Sequence, residues 1–357
     1  MQSKCGLNIG GLKPGIPIIQ GGMGVGYSLH SLSSAVAKEG GIGVIATAGI
    51  GCNEPDFTTN YKGANARALR KEIRKAKELS GGGLIGVNIL GALSNFDDKA
   101  LISIEEGVDF IFSGAGLPLK LPALLSKVPN SHTRLVPIVS SGRALDVIAR
   151  TWMKHYDYFP DAAIVEGPLA GGHLGYKYDE LGDNMPKLED IFLDVLKAAH
   201  HLRDTYKRDL RLIAAGGIFD SADIRKFLDL GAAGVQMGTR FVATHEADAS
   251  LEVKELYLRT RPEDVIIIKS PVGMPGRAIN NSFLEAVARG EKIPFKCPYH
   301  CIKTCMPSKS PYCIAFALIN AVQGRLKDGF AFTGSNVTRI KEIVSVHDLI
   351  NELMSGV

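Results

Sequence analysis

Eight short apolar runs, each followed by a stretch of helical period, most restrict what this 357-residue chain can fold into. They are PIIQGGM (17–23), GIGVIAT (41–47), LIGVNIL (84–90), DFIFSGAG (109–116), LVPIVSS (135–141), AAIVEGP (162–168), LRLIAAGGI (210–218) and AGVQMGTRF (233–241). Each is rich in branched apolar residues and closes on glycine or a polar residue. Continuous apolar strands joined by helical crossovers belong to parallel sheets covered on both faces. Eight such units predict an α/β fold of the closed TIM (β/α)8 barrel type, with an open doubly wound sheet of six or seven strands as the alternative. Segments such as SLHSLSSAVAKEG, GRALDVIARTWMKHY, LEDIFLDVLKAAHHLRD and SADIRKFLDLG read as the intervening helices, with Asp220 or Ser221 capping the last.

The rhythm breaks after the eighth run, which divides the chain into a barrel at 1–258, a smaller capping subdomain at 259–335 and a C-terminal helix at 336–357 packing back on the barrel. Prolines mark the middle part, in SPVGMPGRAI and CPYHCIKTCMPSKSPYC. A net charge of +4 is small for the length, and the most basic stretch, RALRKEIRKAKEL, has the spacing of a solvated helix face. Nucleic acid is therefore not an expected partner. The start, MQSKCGLNIGGLKPG, lacks an apolar leader-type run, and nowhere do 18 apolar residues follow one another, so a cytoplasmic location without membrane contact is expected. A small-molecule substrate is the expected partner; a homodimer is a further expectation.

Forty glycines exceed the roughly 7% of average usage, and they cluster where the apolar runs end. In a barrel those ends build the active site, and the loops after strands seven and eight commonly hold a phosphate. Gly216 and Gly217 in AAGGI let backbone N–H groups approach an anion, ahead of a helix starting near Asp220 whose N-terminus favours negative charge. Gly238 in QMGT does the same, and Thr239 adds a hydroxyl. Gly22 and Met23 in QGGM offer flat backbone and a soft thioether to a ring system, and the Asn88 amide can both donate to and accept from a heterocycle edge. His173, in VEGPLAGGHLGYK, sits among Gly171, Gly172 and Gly175, which clear space around an imidazole able to take or give a proton. Tyr176 and Tyr178 either line an entrance or serve in packing and on the surface.

The ordered set PIIQGGM, GVNIL, EG-x-x-AGGH-x-G, AAGGI and Q-x-GT resembles the FMN-dependent nitronate monooxygenase (2-nitropropane dioxygenase) family, which also includes flavin-dependent enoyl-acyl-carrier-protein reductases. The resemblance runs over roughly residues 10–280 and returns at FAFTGSNVTRI and the last helix. It implies that Met23, Asn88, Glu166 and Gly171 contact FMN. It also implies that Gly217, Gln236, Met237, Gly238 and Thr239 hold the ribityl phosphate, and that His173 stands over the flavin beside the substrate. The activity implied is oxidation of alkyl nitronates or a related small carbon acid with oxygen. The alternative is NAD(P)H-dependent reduction of an enoyl thioester, and a non-flavin barrel acting on a sugar phosphate is a third reading. Two positions depart from the family pattern. Glu166 stands where the monooxygenases usually carry Gln and the reductases often Glu, and Leu169, after Pro168, replaces the usual Glu before the AGGH alanine.

Four of the six cysteines, Cys297, Cys301, Cys305 and Cys313, fall in one segment outside that pattern. Their concentration points to a metal or redox role, as a zinc staple or an iron–sulfur cluster, with unligated thiols packed in the cap as the alternative. On one continuous helix Cys297 and Cys305 would stand about 12 Å apart. A shared site therefore requires the chain to bend, with Pro307 and Pro311 allowing a return by Cys313.

Overall fold

Each apolar run overlaps a strand of one closed barrel. The computed structural model describes residues 6–182 and 184–357. Residues 1–5, which hold Cys5 and the first part of the stretch read for a leader, and Asp183 lie outside the described residues. The strands in chain order are β1 (Ile18–Gln20), β2 (Ile42–Ala46), β3 (Leu84–Leu90), β4 (Phe110–Gly114), β5 (Arg134–Val139), β6 (Ala162–Glu166), β7 (Gly172–His173), β8 (Arg211–Ala215), β9 (Gly234–Met237), β10 (Val265–Lys269) and β11 (Pro275–Ile279). All but β7, β10 and β11 pair in parallel as β1-β2-β3-β4-β5-β6-β8-β9, and β9 closes on β1 with Ile19 opposite Gln236. This is a TIM barrel.

Its two apolar layers follow from the period of two along each strand. Ile19, Val44, Phe110, Phe112, Val136, Ile164 and Ile213 fill the barrel interior with Leu7 and Ile9. Their neighbours Ile18, Ile45, Ile111, Leu135, Val165 and Ala214 face outward into the helix layer. Each fully buried Ile or Leu contributes about 1.5–3 kcal/mol, so both layers hold the strand register.

The helices lie where their period places them, at Tyr61–Leu79, Gly142–Tyr156, Leu188–Tyr206 and Ser221–Asp229 among others. Asp220 caps the last of these by accepting from the Asp223 N–H. Of the closing stretch 336–357 only Val346–Met354 is α-helical, after a short 3-10 turn at Ser335–Arg339, and Ser345 caps it by accepting from the Asp348 N–H. That helix packs against His30–Lys38 and Ser221–Asp229.

Two additions stand over the barrel mouth. β10, β11 and β7 form a three-stranded antiparallel sheet in which His173 pairs with Gly276. An apolar cluster that includes Phe57, Tyr61, Val272, Phe283, Tyr299, Tyr312 and Phe330 packs beside it. The cysteine segment is tied to the loop after β3, where the Ser94 N–H donates to Cys301 O and the Lys303 N–H to Ala92 O. Among the described residues, no helix is long and apolar enough to cross a membrane.

Candidate active site

The C-terminal strand ends enclose a cavity of about 290 Å³. Alternation along the strands decides which side chains reach it. On β6, Ala162 and Ile164 face the interior while Ala163 and Val165 face the helices, so Glu166 points up into the mouth. The same parity brings Asn88 at β3 and Gln236 at β9 to the cavity floor. All twelve residues singled out as catalytic or cofactor-binding line this one space: Gly22, Met23, Asn88, Glu166, Gly171, His173, Gly216, Gly217, Gln236, Met237, Gly238 and Thr239.

At one end the wall is mostly backbone. Gly216 and Gly217 have φ of +94° and +90°, and a Cβ on Gly217 would lie 2.9 Å from that of Leu169. Among the described residues the N–H groups of Gly216, Gly217 and Gly238 have no partner. The segment Thr333–Asn336 closes this end. Asn336 Nδ2 donates to Gly217 O at 2.6 Å, the Gly334 N–H to Thr239 Oγ1 at 3.0 Å, and the Ser335 N–H to Leu169 O at 3.1 Å. The Ser335 hydroxyl and Gln236 Oε1 are buried without a partner. Such orphans are rare unless a ligand or water meets them, so this donor and acceptor set suits a phosphate beside a heteroaromatic ring.

One expectation about that end is overturned. The helix Ser221–Asp229 does not offer its N-terminus to an anion, because its first turn is already occupied. Asp220 caps the Asp223 N–H, and the Asp223 carboxylate accepts from the Phe219 N–H at 3.0 Å. Arg339 pairs with Asp220 at 2.5 Å and neutralises the cap. The free N–H groups are instead those of the glycines.

His173 belongs to a strand, not to a loose loop. Its Nε2 shares a hydrogen bond of 2.8 Å with Ser270 Oγ, and Phe332 meets its ring edge-on with centroids 4.9 Å apart. Nδ1 has no partner among the described residues. The turn before it is held by Arg277, 5% exposed, which donates from Nη1 to Pro168 O and Ala170 O, each at 2.6 Å. Leu169, standing where a carboxylate was expected, packs over Gly217; an arginine from β11 supplies the bracing in this chain.

Burial controls the protons here. It pulls the His173 imidazole down to about 4 and pushes the Glu166 carboxyl up to about 7. Both side chains are partly accessible, but to the cavity they line. Arg277 is lowered to about 10 by the same cause and stays a cation at neutral pH.

Tyr176 and Tyr178 take packing and surface roles. Tyr176 donates to Glu166 O at 2.6 Å and braces the end of β6. Tyr178 lies on the surface, with Lys269 Nζ 4.9 Å from its ring centroid. Of the four clustered cysteines only Cys301 reaches the cavity. Their segment carries no helix, so the chain does bend. Among the described residues, however, no group of three or more His, Cys, Asp or Glu side chains is arranged to hold a metal ion, and the cysteines are free thiols. Sequence reasoning missed Ser270, Arg277 and Thr333–Asn336, whose only sequence signal was their place within SPVGMPGRAI and FAFTGSNVTRI.

A model of the nitronate monooxygenase family matches residues 9–356. The chain belongs to this family of oxidoreductases. A (3aS,4S,5R,7aS)-5-hydroxy-7a-methyl-1-oxo-octahydro-1H-indene-4-carboxyl-CoA dehydrogenase of Mycobacterium tuberculosis is 28% identical over 276 residues, covering 77% of this chain and 66% of that protein. The Rhodococcus jostii protein of the same name is also 28% identical, and the match covers 76% of this chain and 64% of that one. The chain thus spans slightly under two thirds of these relatives. A probable nitronate monooxygenase of Staphylococcus aureus is 24% identical over 77% of this chain and 78% of its own. The solved structure of FabK from Thermotoga maritima has a TM-score of 0.72 at 26% identity, covering 95% of this chain and 92% of that one. A nitroalkane oxidase from Streptomyces ansochromogenes shares the fold, with a TM-score of 0.71 at 21% identity over 95% of each chain.

Proposed function

We propose that the chain is an FMN-dependent oxidoreductase that oxidises alkyl nitronates or a related small carbon acid with oxygen. The observation that carries this reading is a neutral imidazole, His173, facing a cavity whose other residues suit FMN. The backbone of Gly216, Gly217 and Gly238, with Thr239 and Ser335, would hold the phosphate. Gly22, Met23, Asn88, Glu166, Gly171 and Gln236 would meet the ring system, with Met237 behind. Bound there, FMN supplies a two-electron acceptor whose reduced form reacts with oxygen.

Two protein atoms handle the proton. When Ser270 Oγ accepts from Nε2–H, the free Nδ1 is a base for the acidic C–H of the substrate. When Ser270 donates to Nε2, Nδ1–H is a donor to an oxygen of a nitronate that arrives as the anion. The Ser270 hydroxyl thus serves either tautomer, and the apolar surroundings keep the ring uncharged for either task.

Glu166 favours a second reading, reduction of an enoyl thioester with NAD(P)H. A carboxyl with a pKa of about 7 retains a proton to deliver to carbon at neutral pH. The likeness to FabK and to the CoA dehydrogenases supports it. The sugar-phosphate reading has no support in the family match. Oxygen uptake with alkyl nitronates, in protein whose flavin NAD(P)H does not bleach, would confirm the first reading. Bleaching by NAD(P)H followed by reduction of crotonyl thioester would replace it with the second, and colourless protein that cannot be loaded with FMN would end both.

A further inference from the structure

We propose that Cys297, Cys301, Cys305 and Cys313 are the ligand set of an iron–sulfur cluster built into the wall of the cavity. Cys301 lies within electrostatic range of the other three. Tyr61 lies within range of Cys297, Cys301 and Cys313. Cys301 and Cys313 are buried in one apolar cluster and Cys297 and Cys305 pack against it, so the four gather in one part of the cap although the residues spread along a segment without helix. They are gathered loosely, with no three placed to hold a metal ion. A zinc ion needs four thiolates drawn to about 2.3 Å. An iron–sulfur cluster sets its own irons and sulfides between the cysteines and is served by a wider ring.

Three further features suit an anionic sulfur cluster. The Lys99 side chain, 2% exposed, donates to Thr47 O and lies 3.5 Å from Asn65 Oδ1. Among the described residues no carboxylate pairs with it, and Cys301 is within its electrostatic range. A buried ammonium with no counter-charge is costly, and four thiolates around a cluster provide one. Secondly, N–H groups face the sulfurs. The His300 N–H donates to Cys297 Sγ at 3.4 Å, and the Ala315 and Phe316 amides face Cys313 at the start of helix Ile314–Val322. Thirdly, the Tyr299 hydroxyl is buried without a partner in the same apolar cluster as Cys297, Cys301 and Cys313, where cluster sulfide would accept from it.

The proposal stands independently of the substrate assigned above. Its test is reconstitution of the full chain, without air, using ferrous iron and sulfide, followed by metal and acid-labile sulfide analysis. Expected are iron and sulfide in equal amounts, about two or about four of each per chain, with an EPR signal on dithionite reduction. Cys301→Ser and Cys305→Ser should lose most of the iron while keeping FMN; Cys52→Ser, outside the set, should keep both. One zinc without sulfide overturns the proposal. So does wild-type protein that takes up FMN but no iron and leaves all four thiols open to alkylation. If the serine variants fail to hold FMN, the wild-type iron, sulfide and EPR measurements alone decide.

Discussion

The barrel rim presents a carboxyl and the cap sheet an imidazole to the same cavity, and burial moves the two in opposite directions. Glu166, on the rim, rises to about 7, while His173, on the cap sheet, falls to about 4. Their usual order is reversed, so that the imidazole gives up its proton before the carboxyl does. The cavity penalises charge of either sign, and between those two values neither group carries one. The rim contributes a fixed backbone cradle; the cap contributes the imidazole and its orientation.

The sharpest way to break this division is His173→Ala. Turnover should fall about 10²–10⁴-fold with FMN content unchanged; apoprotein would instead assign the histidine to the cofactor and collapse the distinction. Gly217→Val attacks the rim. A β-branched side chain at φ +90°, with its Cβ 2.9 Å from Leu169, costs on the order of 1–3 kcal/mol. FMN affinity should drop roughly 10- to 100-fold, and titration of apoprotein with FMN reads it. Arg277→Met frees the carbonyls of Pro168 and Ala170, and should lower stability by about 1–3 kcal/mol in denaturant unfolding, with less effect on FMN than Gly217→Val.

The opposed protons make a pH prediction. In the unfolded chain Glu titrates near about 4.3 and His near about 6.5. Folded Glu166 keeps its proton to higher pH, so its contribution to stability is full below about 4.3 and lost as pH rises through about 7. Folded His173 releases its proton early, so its contribution is full above about 6.5 and lost as pH falls through about 4. Between about 4.3 and 6.5 the two slopes oppose each other. In thermal melts of apoprotein, Glu166→Gln should leave stability rising with pH across that window and remove the decline toward 7. Identical profiles for wild type and variant would mean that burial does not displace Glu166. The smallest effect is expected from Ser270→Ala, a loss of about fivefold in kcat from one hydrogen bond worth about 1 kcal/mol, with KM and FMN content little changed.

The barrel was legible in the sequence because its signals are local. Each strand is a continuous apolar run, and Asp220 is a cap that needs only its own next turn. Strand parity also explains why Asn88, Glu166 and Gln236 could be singled out, since a polar residue ending an apolar run must face the mouth. The cap was legible as a break in the rhythm, but its internal pairing was not. β7 has two residues, too few for any period, and exists only because β11 pairs with it. Ser270, Arg277 and Ser335 act across long stretches of chain, and no spacing near them announces a partner. The helix at Ser221 was read as an anion site because its start looked free in one dimension; Asp223 and Arg339 close it in three.

The pairing of His173 with Gly276 also sets an order of assembly. The barrel ladder is complete once β9 joins β1, yet the histidine acquires its register, its Ser270 partner and its Phe332 contact only from chain made afterwards. Closing so long a loop is slow relative to local pairing. A nascent or shortened chain ending soon after β9 therefore has the glycine turns of the rim but neither the Thr333–Asn336 segment that closes over them nor the partners that orient His173, and the finished cavity is the last feature the polypeptide gains.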